Sequence, residues 1–292
     1  NDVVSSDSVS GRIAQYAWGR DYHKLLRARL RALSKELSGS FPQEKFVSGV
    51  DATPLLEANF AVKAGIGFRG KHTLVINKEH GSWFFIGELL TTLAISEGPQ
   101  PSSKRCSTDC TYCIDVCPTK AIVEPYKVDG RKCISYLTIE SDKDIPEELR
   151  PLMGNRIYGC DDCQLVCPWN RFANITEEED FHPRTVLHGQ SLNTLFSWSE
   201  ETFLQSTEGS PIRRIGYQKW QRNIAVALGN APYNEESIQL LKERHGTVSE
   251  LVDRHIDWAL QQQQKKQTAY EAQNRQQQRL IRVIEKGLPR DA

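Results

Sequence analysis

The chain has 292 residues, of which 39% are hydrophobic and 25% charged, a composition typical of a globular protein with two or three domains. Lysine plus arginine and aspartate plus glutamate each number 37, so the formal net charge is zero. This balance argues against bulk electrostatic binding to nucleic acid and leaves only a local basic patch. No apolar run is long enough to span a bilayer, so no membrane association is expected. The chain begins at Asn1 without a methionine, and we expect a longer natural N-terminus.

Residues 1–100 are predicted to form an α/β region that contains two helices. Asp21 is a candidate N-cap for the first helix, because its carboxylate can accept from the free backbone N–H groups of the first turn. Leucines recur along one face of this helix at Leu25, Leu26, Leu30, Leu33 and Leu37. Thr53 and Pro54 predict the start of a second helix, which we expect to stop at Gly65.

Two apolar runs, TLVIN at 73–77 and SWFFIG at 82–87, are predicted to be buried strands. The segment SEGPQPSS at 96–103 has the composition of a domain boundary. A cysteine-rich, turn-rich domain is predicted at 101–176, and a helical region at 177–292. Three helical segments in series, QKWQRNIAVALGN, EESIQLLKERHG and VSELVDRHIDWAL, predict a HEAT-like repeat unit in that last region.

All eight cysteines lie between Cys106 and Cys167. A disulfide framework is not expected, because a chain of this size can bury a large enough core without disulfide cross-links. The first group, CSTDCTYCIDVCP, has the spacing C-x3-C-x2-C-x3-C-P. This nearly matches the bacterial iron–sulfur run, whose first gap holds two residues instead of three. The second group, CDDCQLVCP, is the same run without its first member, and Cys133 stands alone between the two groups.

These cysteines provide two sets of four ligands, which predicts a ferredoxin-like domain with two 4Fe–4S clusters. In two-cluster ferredoxins the cysteine before proline binds the other cluster, and the same crossing assigns the ligands here. The first cluster is predicted to bind Cys106, Cys110, Cys113 and Cys167. The second is predicted to bind Cys117, Cys133, Cys160 and Cys163. The alternative is a pair of four-cysteine zinc sites, which would leave both Cys–Pro repeats unexplained.

Longer motifs occur in order along nearly the whole chain: YAWGRDYHKLL, GVDATPLLE, AGIGFRGKHTLVIN, GSWFFIGELLT, CISYLTIE, YGCDDCQLVCPWN and RNIAVALGN. Together they resemble the epoxyqueuosine reductases, which are cobalamin-dependent iron–sulfur enzymes. The resemblance implies that the chain reduces epoxyqueuosine to queuosine at the wobble position of tRNA, with electrons passing from two 4Fe–4S clusters to cobalamin. It also implies a cobalamin-binding catalytic region in residues 1–100, a cytoplasmic monomer, and an electron donor that the sequence does not identify.

The chain departs from the pattern of that family in three places. The family begins with a further N-terminal segment, which could contribute part of the corrin site. The first cysteine gap is wider than usual, which leaves the position of Cys106 open. His72 stands where the family often carries asparagine.

The resemblance places the proton donor of the reaction at Asp51. From the residues alone, Asp51 also suits a capping role before a helix, where the dipole favours its ionised form. The resemblance further places cobalamin contacts at Gly70, Lys71, Val75, Ile86, Ser135 and Asp161. For the first three of these, an ordinary turn and a buried strand are the alternative. The remaining histidines, including His23, show no metal-ligand spacing and are interpreted as surface or core residues.

A local basic patch is predicted in PIRRIGYQKWQRN, residues 211–223, which contains no acidic residue. Basic side chains with interleaved aromatic rings suit phosphate contacts and base stacking. The candidate tRNA contacts are Arg213, Arg214, Lys219 and Arg222. The alternative is a solvated helix face whose aromatic residues belong to the core.

Two other functions compete with tRNA modification. Another cobalamin and iron–sulfur reductase, such as a reductive dehalogenase, would share the cofactors but would have no evident use for the helical region. A simple electron carrier of the ferredoxin type would not need the large α/β region before Cys106.

Overall fold

The computed structural model describes residues 9–51, 54–96, 98 and 105–285. The predicted helix cap at Thr53 and most of the predicted boundary at 96–103 lie outside the described residues. None of the described helices carries an apolar stretch that could cross a bilayer.

The first region combines helices with short pairs of strands. The predicted first helix is confirmed, and Asp21 caps it by accepting from the backbone N–H of His23 at 3.1 Å. Among the described residues of this region, β2 (Phe46–Gly49) pairs with β5 (Glu88–Thr91) and β3 (Phe68–Arg69) pairs with β4 (Val75–Ile76). Both pairs are antiparallel, two-stranded ribbons. The elements are β1 (Arg12–Ile13), α1 (Tyr22–Ser40), β2 (Phe46–Gly49), α2 (Glu57–Lys63), β3 (Phe68–Arg69), β4 (Val75–Ile76) and β5 (Glu88–Thr91).

The predicted strand at 82–87 is wrong. The structure has no regular element there, and the strand β5 begins only at Glu88. The backbone of Ser82 instead bonds to side chains of the cysteine-rich region: its N–H donates to Asn170 Oδ1 at 2.6 Å, and its carbonyl accepts from Gln164 Nε2 at 3.1 Å. Side chains distant in the sequence therefore satisfy polar groups that a neighbouring strand would otherwise have paired.

The cysteine-rich region is built from short elements. α3 and α6 each follow a cysteine and stop before a Cys–Pro pair, because proline disfavours helical backbone in the residue before it. β8 pairs in parallel with β1, which ties this region to the start of the described chain. The elements are α3 (Tyr112–Val116), β6 (Ile122–Glu124), β7 (Lys127–Val128), α4 (Ile134–Ile139), α5 (Arg150–Met153), β8 (Arg156–Tyr158) and α6 (Asp162–Leu165).

The last region is helical, and the three predicted segments are confirmed as α9, α10 and α11. Two shorter helices precede α9, and Ser191 and Ser199 are their N-caps; Asn234 is the N-cap of α10. Each of these side chains accepts a hydrogen bond from the backbone N–H three residues further along the chain. α11 extends through the glutamine-rich tail. The elements are α7 (Leu192–Ser197), α8 (Glu200–Ser206), α9 (Gly216–Asn230), α10 (Glu235–Arg244) and α11 (Glu250–Glu285).

One hydrophobic core joins the cysteine-rich and helical regions across the predicted boundary at 176. Its buried residues run from Ala17 to Ala259, and α9 lies at its centre. Trp220 has no exposed surface and stacks on Trp198 with ring centroids 5.8 Å apart. The two regions therefore share the burial of apolar surface that stabilises them.

Polar side chains of α9 cap the C-terminal end of α4. The last carbonyl groups of a helix lack partners within it, and here Arg222 donates to Leu137 O at 2.6 Å and Asn223 to Thr138 O at 2.8 Å. Arg222 also donates to the carbonyls of Ser141 (2.7 Å) and Lys143 (2.9 Å) in the loop that follows. Burial lowers the pKa of Arg222 to about 10. The prediction that Arg222 contacts tRNA is wrong, because it has no exposed surface.

Replacing Arg222 by Met removes the donors for three carbonyl groups and keeps an apolar stem of similar length. An acceptor left unpaired in the interior costs about 1–3 kcal/mol, so we expect the free energy of unfolding to fall by about 3 kcal/mol or more. Urea unfolding followed by tryptophan fluorescence measures this change. Arg213→Met is the matched control, because Arg213 is exposed, and its effect should stay within about 0.5 kcal/mol. Equal effects of the two substitutions would contradict the capping role.

Candidate functional site

Asp51 lies just after β2 in a backbone conformation that few side chains adopt. Its φ is 51°, in the left-handed region that aspartate tolerates better than most residues. Half of its side-chain surface is exposed. Oδ2 accepts from the Tyr22 hydroxyl and lies 3.0 Å from His23 Nε2. The carboxylate is therefore fixed by the start of α1 and still faces solvent.

His23 links Asp51 to two further charged residues. Its Nδ1 lies 2.9 Å from Asp21 Oδ1, and its Nε2 lies 3.1 Å from Arg214 Nη1. In the neutral ring with its proton on Nδ1, Nε2 accepts from Arg214; in the imidazolium, both nitrogens donate, to Asp21 and to Asp51. His23 is buried, as expected of a core residue, but it also bonds to Asp51 and Arg214, which come from two other segments of the chain. Only its place in the first turn of α1, two residues after the cap, hinted at this.

Aromatic packing holds Tyr22 in place beside Asp51. Its ring stacks on His23 (centroids 4.0 Å apart) and on Phe85 (4.2 Å), and Phe85 contacts Phe181 at 5.1 Å. Burial, followed by the hydrogen bond to Asp51, raises the pKa of the Tyr22 hydroxyl. Tyr22 therefore remains a hydrogen-bond donor to the carboxylate throughout the physiological pH range.

Two glutamates near Asp51 were not predicted from the sequence. Burial raises the pKa of both Glu57 and Glu88, and each is also influenced by the charge of Asp51. Oε1 of Glu57 and both carboxylate oxygens of Glu88 are shielded from solvent without a well-formed hydrogen bond to any described residue. Such carboxyl groups retain protons to higher pH than exposed ones. Glu57 belongs to the same motif as Asp51, GVDATPLLE, and this shared motif is the feature of the sequence that could have indicated Glu57 as a site residue.

The structure brings the cysteines of the first predicted set together. Burial raises the pKa of the Cys113 thiol to about 11, and the next contributions come from the sulfur atoms of Cys106, Cys110 and Cys167. Cys106 and Cys167 also pack in one small apolar cluster with Phe68 and Ile76 of the β3–β4 ribbon. This group of sulfur atoms therefore adjoins the β3–β4 ribbon.

The second predicted set also converges. Burial raises the pKa of the Cys163 thiol, and the sulfur atoms of Cys160, Cys133, Cys113 and Cys117 raise it further. Cys113, a member of the first set, thus also lies close to Cys163 of the second set. Cys117 Sγ accepts from the backbone N–H of Ala121 at 3.2 Å, a type of bond that influences the potential of a bound cluster. Bound iron would supply the positive charge that keeps such thiols ionised.

Among the described residues, no three His, Cys, Asp or Glu side chains meet at a point suited to a single metal ion. A 4Fe–4S cluster makes a different demand, because each of its four irons takes one thiolate and the sulfur atoms surround the cluster. The eight cysteines, all free and none exposed to a large degree, suit this second arrangement.

The predicted cobalamin contacts fall in three places. Gly70, Lys71 and Val75 form the turn and strand of the β3–β4 ribbon. A Cβ at Gly70 would lie 2.7 Å from Ile76 Cδ1, so a larger residue would have to displace the end of the Ile76 side chain. Ile86 lies in the irregular segment beside Phe85. Ser135 lies on α4 and Asp161 precedes α6; Asp161 accepts from Gln15 N–H at 2.7 Å, and burial raises its pKa to about 6.

The β3–β4 turn also carries an unpaired buried donor. His72 is buried, and its Nδ1 accepts from Leu74 N–H at 3.2 Å, which leaves the proton on Nε2 without a partner among the described residues. Burial lowers the pKa of His72 to about 4, so the ring is neutral. Leu74, whose N–H bonds to His72, has an exposed side chain. The unpaired donor of His72 suits a ligand that carries amide carbonyls.

The remaining candidate tRNA contacts differ in availability. Arg213 is exposed. Arg214 is partly exposed and bridges His23 and Glu140, which places it beside the Asp51 network. Lys219 has only 16% of its side chain exposed, donates to Ile139 O at 2.9 Å and pairs with Asp142. Of the predicted patch, Arg213 and Arg214 present charge to solvent, whereas Lys219 acts mainly within the fold.

Comparison with known proteins agrees with this geometry. Residues 105–170 match the family model described as 4Fe-4S double cluster binding domain, and residues 2–52 match the one described as Epoxyqueuosine reductase QueG, DUF1730. The epoxyqueuosine reductase of Escherichia coli (strain K12) is 56% identical over 284 residues, covering 97% of this chain and 74% of that relative. The enzyme of Shewanella oneidensis is 56% identical over 289 residues, covering 97% and 72%.

Solved structures agree as well. A crystal structure of epoxyqueuosine reductase with an epoxyqueuosine-modified tRNA-Tyr stem loop has a TM-score of 0.82 and 29% identity, over 90% of this chain and 69% of that one. A Bacillus subtilis structure whose aspartate-bearing catalytic loop is swung out of the active site has a TM-score of 0.81 and 28% identity, over the same shares. The protein is thus an oxidoreductase with a double-cluster iron–sulfur domain. It belongs to the epoxyqueuosine reductase family.

Cys133→Ser tests the grouping of the sulfur atoms. If Cys133 belongs to the second set only, its loss should remove one cluster and roughly halve the iron content of anaerobically purified protein, because the other four thiolates remain. Lys132→Ser, at the exposed neighbouring position, is the control and should retain all the iron. Unchanged iron in the Cys133 variant would show that the grouping is incorrect.

Proposed function

We propose that the chain reduces epoxyqueuosine to queuosine in tRNA, with two 4Fe–4S clusters and cobalamin as its cofactors. The observation that carries this proposal is the position of Asp51. Tyr22 and His23 hold its carboxylate. Residues 1–100 also supply Phe68 and Ile76, which pack against Cys106 and Cys167 of the first cysteine set.

The proposed electron route passes from the second cysteine set to the first. Cys113 borders both sets, and Cys106 and Cys167 of the first set pack against β3 and β4. When bound, the clusters would carry single electrons, and cobalamin would present a reducing cobalt centre to the epoxide. The chain would hold the corrin at the β3–β4 turn, where the unpaired His72 N–H would donate to an amide carbonyl.

Asp51 is the proposed proton donor. Conversion of an epoxide to an alkene takes up two electrons and two protons, and the oxygen leaves as water. A half-exposed carboxyl group in a hydrogen-bonded network can deliver a proton to that oxygen. The catalytic loop of the Bacillus subtilis relative, which carries an aspartate and swings out of its active site, supports this role. Glu57 and Glu88, whose pKa values are raised by burial, could return a proton to Asp51.

Arg213 and Arg214 are the proposed tRNA contacts. Arg214 reaches His23, so a phosphate bound at this pair would lie near Asp51, where the modified base must be placed. The relative solved with an epoxyqueuosine-modified tRNA stem loop supports a tRNA substrate. A tRNA substrate also favours the cytoplasm, and we propose that the protein acts there as a monomer with a separate electron donor.

Asp51→Asn tests the proposed chemistry. Asparagine keeps the size and the hydrogen bond from Tyr22 but is a far weaker proton donor, so turnover should fall by about two orders of magnitude or more. Mass spectrometry of tRNA nucleosides, after incubation with reductant and cobalamin, measures the product. Iron content should be unchanged. Asp180→Asn, in an exposed ion pair with Arg20, is the control. Near-normal turnover would exclude Asp51 as the proton donor, and a parent chain that forms no queuosine would refute the proposed activity.

Arg213→Ala and Arg214→Ala together test the RNA surface. Loss of each phosphate contact should reduce the dependence of log affinity on log salt by about 0.7–0.9. We therefore expect weaker tRNA binding and a slope that is less steep by about 1.5, measured by filter binding at several salt concentrations. Arg254→Ala, which removes an exposed arginine paired with Asp144, should leave the slope unchanged. Parent-like binding by the double variant would place the RNA site elsewhere.

A further inference from the structure

The first cysteine gap is one residue wider than in the usual iron–sulfur run, and a buried lysine occupies the space beside it. Lys71 is 6% exposed. Its ammonium donates to the carbonyl of Thr108 at 2.7 Å and to that of Cys110 at 2.8 Å. Thr108 is the middle residue of the widened gap, and Cys110 is the cysteine that ends it. The extra residue therefore has a specific partner, supplied by the catalytic region.

The main chain of Lys71 is fixed as well. It lies in the β3–β4 turn, where the carbonyl of Gly70 accepts from Thr73 N–H at 2.9 Å, and its own carbonyl accepts from Tyr126 N–H at 2.9 Å. Tyr126 belongs to the turn between β6 and β7. Lys71 thus contacts the cluster domain through both its side chain and its backbone, at two different loops.

The charge of Lys71 is not neutralised locally. Within the part of the chain that the structure describes, no carboxylate lies within ion-pair distance of its ammonium group; both of its hydrogen bonds go to backbone carbonyls. Buried charges usually have a charged partner or a metal site nearby, because an unpaired charge is costly to bury. A group of thiolates around a cluster would provide that negative partner.

We propose that Lys71 sets the reduction potential of the first cluster, the one bound by Cys106, Cys110, Cys113 and Cys167. This inference rests on the proposed iron–sulfur assignment. A cluster that accepts one electron gains one negative charge while its bonds to the four thiolates are unchanged. A fixed positive charge beside it stabilises the reduced form and raises the potential. At an effective dielectric constant of roughly 20, a unit charge several ångströms away alters the reduction equilibrium by about tenfold or more.

A higher potential of the first cluster would direct electrons from the second cluster to the first. A cluster with a higher potential draws electrons from the second cluster and holds them next to the β3–β4 ribbon. The lysine that raises this potential belongs to that same ribbon. The catalytic region would therefore tune its own electron source, and Lys71 acts as a positioning residue without contacting the substrate.

Lys71→Gln tests the inference, because glutamine can still donate to a carbonyl but carries no charge. The potential of the first cluster is measured by redox titration with electron paramagnetic resonance, on anaerobically reconstituted protein without cobalamin. The titration is repeated in a Cys133→Ser background, which should contain the first cluster alone. We expect a shift to lower potential equivalent to at least a tenfold change in the reduction equilibrium, about 59 mV for a one-electron couple.

Two further variants separate charge from structure. Lys71→Arg keeps the charge and should stay within threefold of the parent equilibrium. Lys120→Gln is the matched control: Lys120 also donates to a backbone carbonyl of the cluster domain, that of Asp115 at 2.6 Å, but it is exposed and screened by solvent. It should leave the potential of the first cluster unchanged.

The outcomes are distinguishable. A parent chain that binds no cluster refutes the proposed function before Lys71 is tested. A Lys71→Gln variant with the normal iron content and an unchanged potential overturns the inference about Lys71 alone. Loss of the first cluster in Lys71→Gln but not in Lys71→Arg would also overturn it, and would leave Lys71 as a purely structural clamp on the widened loop.

Discussion

The attachment of α9 to the C-terminal end of α4 is the interaction on which the rest of the structure depends. Three successive carbonyl groups of α4, those of Leu137, Thr138 and Ile139, accept from Arg222, Asn223 and Lys219 respectively. Cationic side chains at a helix C-terminus are also favoured by its dipole. Because α4 begins directly after Cys133, the helical region fixes the direction from which one cysteine approaches the others.

This arrangement explains why a sequence with zero net charge concentrates basic residues in one segment. The basic residues of the stretch 211–223 differ in where their side chains lie. Arg222 and Lys219 point into the fold and satisfy carbonyl groups, whereas Arg213 and Arg214 lie at its surface. Burial thus separates the basic residues that stabilise the fold from the exposed Arg213 and Arg214, which are the proposed RNA contacts.

Local sequence signals were sufficient where the physical cause is itself local. The cysteine runs are dense and regular, the cap at Asp21 acts within its own helix, and the periodicity of α9, α10 and α11 lies within each segment. The sequence failed where partners are distant. The segment 82–87 has the composition of a strand, but side chains more than 80 residues away bond to its first residue. His23 depends on Asp51 and Arg214 in the same way.

Two sets of side-chain contacts connect residues 1–100 with the cysteine-rich region. Glu140 directly follows α4 and pairs with Arg214, which contacts His23, which in turn contacts Asp51. The helix that starts at Cys133 therefore leads, through three side chains, to the proposed proton donor. Lys71 makes a second connection, between the β3–β4 turn and the first cysteine loop. Misplacement of a reacting group by about 1 Å can cost two orders of magnitude in rate. Two attachments between residues 1–100 and the iron–sulfur domain restrict such displacement more effectively than either could alone.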